Sequence, residues 1–126
     1  MASRLDESPL DTLLSDLQEI EEWAHHPLRC MGCGNPVTSS RERCSRNNQS
    51  CYQFVNPGGY QFNIELYSSA LGCYPTGQST GDFSWFPPFV WRYAKCGQCD
   101  LHLGWHYQAT GEASFWGLIR ALLSDA

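Results

Sequence analysis

The chain has 126 residues, enough for one domain with a single modest core and too few for two. Its formal net charge is −5, and nothing in it forms the basic stripe that DNA or RNA binding requires, so no nucleic-acid partner is expected. The longest apolar runs are far too short to cross a bilayer, and no membrane partner is expected either.

The charge is unevenly placed. Asp6, Glu7, Asp11, Asp16, Glu19, Glu21 and Glu22 crowd the first 23 residues against Arg4 alone, so the remainder is close to neutral. The opening Met-Ala-Ser-Arg-Leu-Asp-Glu-Ser lacks the apolar stretch of a secretory signal; a cytoplasmic or nuclear protein is expected, with a secreted form left open. In the same region Leu10, Leu13, Leu14, Leu17, Ile20 and Trp23 recur at spacings of three and four, which predicts an amphipathic helix over 8–24. Ser8 suits its N-cap, Pro9 its first position and Asp11 the capping-box acid; Pro27 ends it. Its acidic polar face fits packing on the domain or on a partner, not a lipid surface. Residues 1–27 are therefore read as an acidic N-terminal segment and 28–126 as the folded domain.

From residue 30 onward the texture is that of short strands and turns. Val55-Asn56-Pro57-Gly58-Gly59-Tyr60 predicts a turn, and Gln61 to Tyr67 a strand with Phe62, Ile64 and Leu66 on one side. Thr76 to Asp82 is small and polar and reads as a loop. Trp91 to Lys95 and Leu101 to Tyr107 are further strand candidates, while Phe115 to Leu123 fits a strand or a short helix.

The seven cysteines fall into two classes. Cys30-Met-Gly-Cys33 and Cys96-Gly-Gln-Cys99 are paired C-x-x-C knuckles, the four-thiolate set of one structural Zn²⁺ per chain. A redox C-x-x-C would not need a second copy. Residues 34–95 separate the knuckles, so the metal would tie the start of the domain to its far end. Four cysteines close the coordination sphere, which argues against a catalytic zinc. His102 and His106 lie four apart in a segment that alternates as a strand; that spacing puts them on one face but roughly 13 Å apart, and they are read as surface or pocket-rim residues. Cys44, Cys51 and Cys73 remain, expected as reduced thiols, although Cys44 and Cys51 could pair in an oxidising compartment.

The densest signal is aromatic. Trp85, Trp91, Trp105 and Tyr107 crowd into a short stretch around the second knuckle. Tryptophans usually build cores, but indole faces at right angles also make a box for a methylated ammonium or for a neutral flat ring whose polar edge meets backbone groups. Asp82 is the one nearby acid for the first of these.

Phe83-Ser-Trp-Phe-Pro-Pro-Phe-Val-Trp91, Cys96-Gly-Gln-Cys99, His102-Leu-Gly-Trp-His-Tyr107 and Phe115-Trp-Gly-Leu118 together resemble the CULT domain, the thalidomide-binding domain of cereblon and its single-domain bacterial relatives. Val55-Asn-Pro-Gly-Gly-Tyr60 is similar to the family's mobile loop and Cys30-x-x-Cys33 to its first knuckle; the resemblance covers roughly residues 28–122. It implies a mainly β fold, a β-tent of two antiparallel sheets with a structural zinc site of four cysteines. It also implies a non-catalytic module that binds glutarimides, succinimides, hydantoins and thalidomide-type drugs, or a protein C-terminal cyclic imide. Trp85, Trp91 and Trp105 would wall the pocket, Tyr107 would close one side, and Asn56 would approach from its loop. The main chain of Phe83 and the N–H of Trp85 would meet the imide. Some animal cereblons carry His where this chain has Phe83. Substrate recognition within a ubiquitin ligase, through its adaptor, is expected only if a longer parent chain supplies the docking domain. Two other readings remain at this point: a methionine sulfoxide reductase-like β-tent enzyme, which would need a separate nucleophilic cysteine, and a methyl-ammonium reader.

Overall fold

The computed structural model describes residues 27–125; the helix predicted over 8–24 lies outside them. The described chain is mainly β, a β-tent of two antiparallel sheets. The strands are β1 (Pro27–Cys30), β2 (Pro36–Ser39), β3 (Cys51–Val55), β4 (Gln61–Tyr67), β5 (Cys73–Thr80), β6 (Val90–Cys96), β7 (His102–Gln108), β8 (Phe115–Ile119) and β9 (Leu123–Ser124). Three of them form a small sheet in the order β2-β1-β9, and six form the large one in the order β3-β4-β8-β7-β6-β5.

Each face of the large sheet buries a different core. On one face Tyr67, Ala94, Cys96, Leu103 and Leu118 pack with Leu28, Cys30 and Val37 of the small sheet. On the other, Ile64, Leu66, Trp105, Tyr107, Phe115 and Ile119 receive Phe86 and Phe89 from the connection between β5 and β6. Simple alternation accounts for most of this, since neighbours along a strand point to opposite faces.

Strand β7 breaks the alternation. Leu103 and Trp105 are two residues apart, yet they sit in opposite cores. The pairing with β6 explains it: Lys95 opposes His102 and Ala94 opposes Gly104, so one extra residue is accommodated between them. This β-bulge shifts the side-chain phase, and residues on either side of it exchange faces. His102 consequently joins Trp105 and Tyr107, while His106 turns to the opposite face and packs 4.2 Å from the Trp116 ring. The expectation that the two histidines share a face is corrected by that bulge.

One further assignment changes, and one left open is resolved. Thr76–Thr80, read as loop, belongs to β5, where Thr76 pairs with Tyr93 and Thr80 with Trp91 across an irregularity. As an edge strand it is held by hydrogen bonds on one side and buries little, so no apolar alternation marks it. The stretch from Phe115 to Leu123 holds both candidates, β8 followed by a 3-10 turn over Arg120–Leu122.

At the bulge, a Cβ on Gly104 would lie 2.1 Å from the Gly117 carbonyl oxygen of β8. Both partners are main chain, so no side-chain rotation relieves the clash. Gly104→Ala is expected to cost about 3 kcal/mol in denaturant unfolding, at the upper end of overpacking penalties. Gly81→Ala, whose added Cβ would meet nothing nearer than Val90 Cγ1 at 3.8 Å, is expected to stay within about 0.5 kcal/mol.

Candidate functional site

The two C-x-x-C knuckles fold alike. Cys30 and Cys96 each accept, through the carbonyl, from the residue four ahead (Gly34 at 2.8 Å, Asp100 at 3.0 Å), and each donates its N–H to the carbonyl five ahead (Asn35 and Leu101, both 2.9 Å). Gly34 and Asp100 both take positive φ, +79° and +68°, which turns the chain back into the next strand. Inside each turn an amide points at sulfur: Gly32 N–H to Cys30 Sγ at 3.3 Å and Gln98 N–H to Cys96 Sγ at 3.4 Å.

The turns face each other. Cys30 Sγ lies 3.7 Å from Cys99 Sγ and Cys33 Sγ 3.6 Å from Cys96 Sγ, with all four sulfurs within 4.8 Å of one another. Asn35 Nδ2 adds a donor 3.7 Å from Cys96 Sγ. Burial pushes the Cys96 thiol up, but the backbone at Cys99 and Gln98 and the neighbouring sulfurs outweigh it and hold it at about 7. For Cys33, the backbone at Asn35 pulls down, yet desolvation and the surrounding sulfurs drive the thiol up to about 12. Four sulfurs this close together, on turns that also aim amide donors at them, are a donor set that a single metal ion could bind as thiolates.

On the other face of the large sheet, a cavity of about 370 Å³ is lined by Asn56, Pro57, Phe62, Phe83, Trp85, Trp91, Tyr93, His102, Trp105 and Tyr107. The six ligand-contact candidates from the sequence (Asn56, Phe83, Trp85, Trp91, Trp105 and Tyr107) are all brought to it. Rings meet edge to face around the wall: Trp85 and Trp105 at 4.9 Å and 75°, Phe62 and Trp105 at 5.5 Å and 75°, Trp91 and Tyr93 at 5.2 Å and 75°. Phe54 stacks behind Trp85 at 4.6 Å and 11°. The Trp91 indole is fixed by its Nε1–H donating to the Asp82 carbonyl at 2.8 Å.

The approach to the cavity is a segment of irregular main chain. Ser84 Oγ donates to the Phe89 carbonyl at 2.7 Å and accepts from the Phe86 N–H at 3.2 Å, while Phe86 and Phe89 anchor in the core. Phe83 itself is held at φ +55° with its ring 75% exposed. A left-handed conformation costs a residue with a Cβ roughly 1–2 kcal/mol, so it persists only where the surroundings impose it. Among the described residues, neither the N–H nor the carbonyl of Phe83 has a hydrogen-bond partner, nor has the N–H of Trp85. Opposite them, Asn56 Oδ1 accepts from the Tyr60 N–H at 2.9 Å, and the Gly59 N–H donates to the Asn56 carbonyl at 2.9 Å, closing the turn between β3 and β4.

Among the described residues no Asp, Glu, Lys or Arg lines the cavity, and Asp82 contributes its carbonyl to Trp91. No cysteine lines it either. None of the seven is in a disulfide, and burial pushes the Cys44 thiol up and that of Cys73 to about 12, the reverse of what activates a nucleophile. Four lining residues were not among the sequence candidates for ligand contact. Pro57 follows Asn56; Tyr93 lies two residues from Trp91 on β6; Phe62 opens the apolar face of β4; His102 arrives through the bulge, with Gly104 as the one hint in the sequence.

No protein-family model matches the chain. It is 35% identical over 74 residues to the protein cereblon of Gallus gallus and, over the same length, to that of Xenopus tropicalis. Against the protein cereblon of Danio rerio the identity is 34% over 74 residues. Each match covers 56% of this chain and spans 17% of the relative's length.

The sulfur cluster leads to a stability test. Purified protein is expected to carry one tightly held metal ion per chain by elemental analysis, and Cys96→Ser to lose both the metal and the cooperative fold, because binding energy at such a site is folding energy. A Cys96→Ser chain with parental melting behaviour would show that the cluster does not support the fold through a metal.

Proposed function

Because the chain carries a cereblon-type CULT domain, we propose that it is a zinc-stabilised binding module for cyclic imides, held in the cavity walled by Trp85, Trp91 and Trp105. The observation that carries this reading is the pairing of an uncharged aromatic wall with an unsatisfied main-chain edge. A simple cyclic imide such as succinimide or glutarimide presents two carbonyls flanking one N–H along one side and only CH2 groups on the other. Its apolar side suits the indole faces. Its polar side needs one acceptor and two donors, the set offered by the carbonyl and N–H of Phe83 and the N–H of Trp85.

Among the described residues no carboxylate lines the cavity, which favours a neutral ring over a methylated ammonium, whose positive charge would be desolvated without a counter-charge from that lining. The raised thiols of Cys44 and Cys73, and the absence of any cysteine from the lining, weigh against a reductase. Zinc is the metal that suits the cluster: Zn–S bonds of about 2.3 Å in a tetrahedron place sulfurs about 3.8 Å apart, close to the 3.6 and 3.7 Å of the two nearest pairs. Cys30, Cys33, Cys96 and Cys99 would hold it, and it would act by tying the sheets together. In a longer parent chain with an adaptor-docking domain, the module would present imide-bearing protein C-termini to a ubiquitin ligase.

Simple imides are expected to bind with micromolar affinity, read by tryptophan fluorescence. For a ring of about eight heavy atoms this is about −8 kcal/mol, or roughly −1 per atom, within the range of the best small ligands. Trp91→Ala and Trp105→Ala are each expected to abolish detectable binding while retaining the metal; a folded variant that still binds normally overturns the assignment of the cage.

A second test separates main chain from side chain at Phe83. Phe83→His is expected to keep affinity within about threefold, under 1 kcal/mol. Phe83→Pro removes the N–H and imposes φ near −65° in place of +55°, and is expected to weaken binding by up to roughly a hundredfold. A folded Pro variant of parental affinity would refute main-chain readout.

A further inference from the structure

Among the described residues lining the cavity, His102 carries the one aromatic ring that is neither an indole nor a six-membered carbocycle. His102 stands edge to face between Tyr93, at 5.2 Å and 87°, and Trp105, at 5.1 Å and 87°. With the Trp91–Tyr93 and Trp105–Trp85 contacts it completes an unbroken succession of five rings around one side of the cavity. Any apolar ring could fill that place as packing. What distinguishes His102 is its second nitrogen.

Its Nε2 lies 2.8 Å from the Gly104 carbonyl oxygen. A carbonyl can only accept, so Nε2 carries the hydrogen and Nδ1 of the neutral ring keeps a bare lone pair. The ring is held neutral: burial depresses its pKa below the usual histidine range and nearby Lys95 adds to this, against the Gly104 carbonyl that favours the charged form. Tyr93 and Lys95 face it from β6 and Gly104 and Trp105 from its own strand, and no carboxylate acts on it. Nδ1 has no hydrogen-bond partner among the described residues. Nor is it sealed in the interior, for the one buried and unpartnered side-chain nitrogen or oxygen there is His106 Nδ1. His102 lines the cavity, and its Nδ1 is an unengaged acceptor on that residue, separate from the main-chain groups of Phe83 and Trp85.

We propose that His102 is a specificity determinant whose Nδ1 accepts a hydrogen bond from a second N–H on the ligand, so that the cavity selects cyclic imides that are also cyclic ureas. This rests on the imide reading of the cavity. Hydantoin is succinimide with N–H in place of the CH2 beside one carbonyl, and dihydrouracil stands in the same relation to glutarimide. Inside an indole cage that extra N–H is a burden unless it is met, since an unpaired buried donor forfeits its hydration. His102 meets it, and a succinimide or glutarimide leaves Nδ1 as it was.

The matched pair makes the test. In the parent protein, hydantoin is expected to bind at least as tightly as succinimide. In His102→Phe, any change in wall packing is expected to move both ligands alike, while hydantoin loses about fivefold or more beyond succinimide, the effect of one hydrogen bond. A purely structural role for the ring would move both ligands together. The unmodified protein gives an independent reading: the ¹⁵N resonance of His102 Nδ1 is expected to shift upfield on saturation with hydantoin and to stay in place with succinimide. If succinimide binds but the affinity ratio is unchanged in the variant, or the resonance ignores hydantoin, the role of His102 is overturned and the imide reading stands. If the parent binds neither ligand, both are overturned.

Discussion

At Gly104 the main chain of β7 runs so close to β8 that a single added carbon would fall 2.1 Å from a carbonyl oxygen. That contact holds the bulge in place, and the bulge decides which side chains meet. Without it, strict alternation would put His102 and His106 together and send Leu103 to the same face as Trp105. With it, Leu103 fills the core between the sheets, while His102, Trp105 and Tyr107 line the cavity. The bulge thus lets seven residues of β7 serve two packing environments, and the aromatic wall follows from the backbone, as bulges beside functional sites commonly arrange.

The sulfur cluster acts on the same two strands from the other end. Cys96 closes β6 and Cys99 lies in the turn that leads into β7, so a metal there would fix the join between the strand carrying Trp91 and Tyr93 and the strand carrying His102 and Trp105. Through Cys30 and Cys33 it would also lock the small sheet to the large one across residues 34–95. A domain of this size has limited apolar surface to bury, and a metal clip that joins the ends of the chain stabilises it where area alone would be marginal. Rigid walls matter for a small ligand, because it has few atoms with which to offset the cost of ordering a floppy site.

How much of this the sequence disclosed depends on whether a residue's role leaves a pattern. Strand β4 shows over Gln61–Tyr67 because Ile64 and Leu66 must alternate into a core. The paired C-x-x-C spacing is legible because four sulfurs on tight turns have few other uses. The edge strand β5 is invisible: its partner supplies main-chain hydrogen bonds, which no side chain records, so Thr76–Thr80 looks like a loop. His102 is hidden for a different reason. Its facing depends on a single inserted residue, and one register shift moves every side chain beyond it to the other surface. Gly104 is the trace of that shift, but a glycine in a strand signals a bulge without saying which residues change sides.

The same limit applies to recognition. The polar edge proposed to meet an imide would consist of main-chain groups at Phe83 and Trp85, which every residue but proline possesses in full, so the chemistry of that edge would not be written in side chains at all. What the sequence does encode is the means of holding that edge open. Ser84 bridges the Phe89 carbonyl and the Phe86 N–H, Phe86 and Phe89 are pinned in the core, and Phe83 is thereby kept in a conformation it would otherwise avoid. The positive φ of Phe83 and its unpaired amide and carbonyl fall together in one cavity-lining residue. A free Phe83 side chain, 75% exposed, is consistent with this, since the surroundings hold the backbone and not the ring. On the proposed reading, the anchoring aromatics behind the segment would bear on recognition as directly as the indoles that line the cavity.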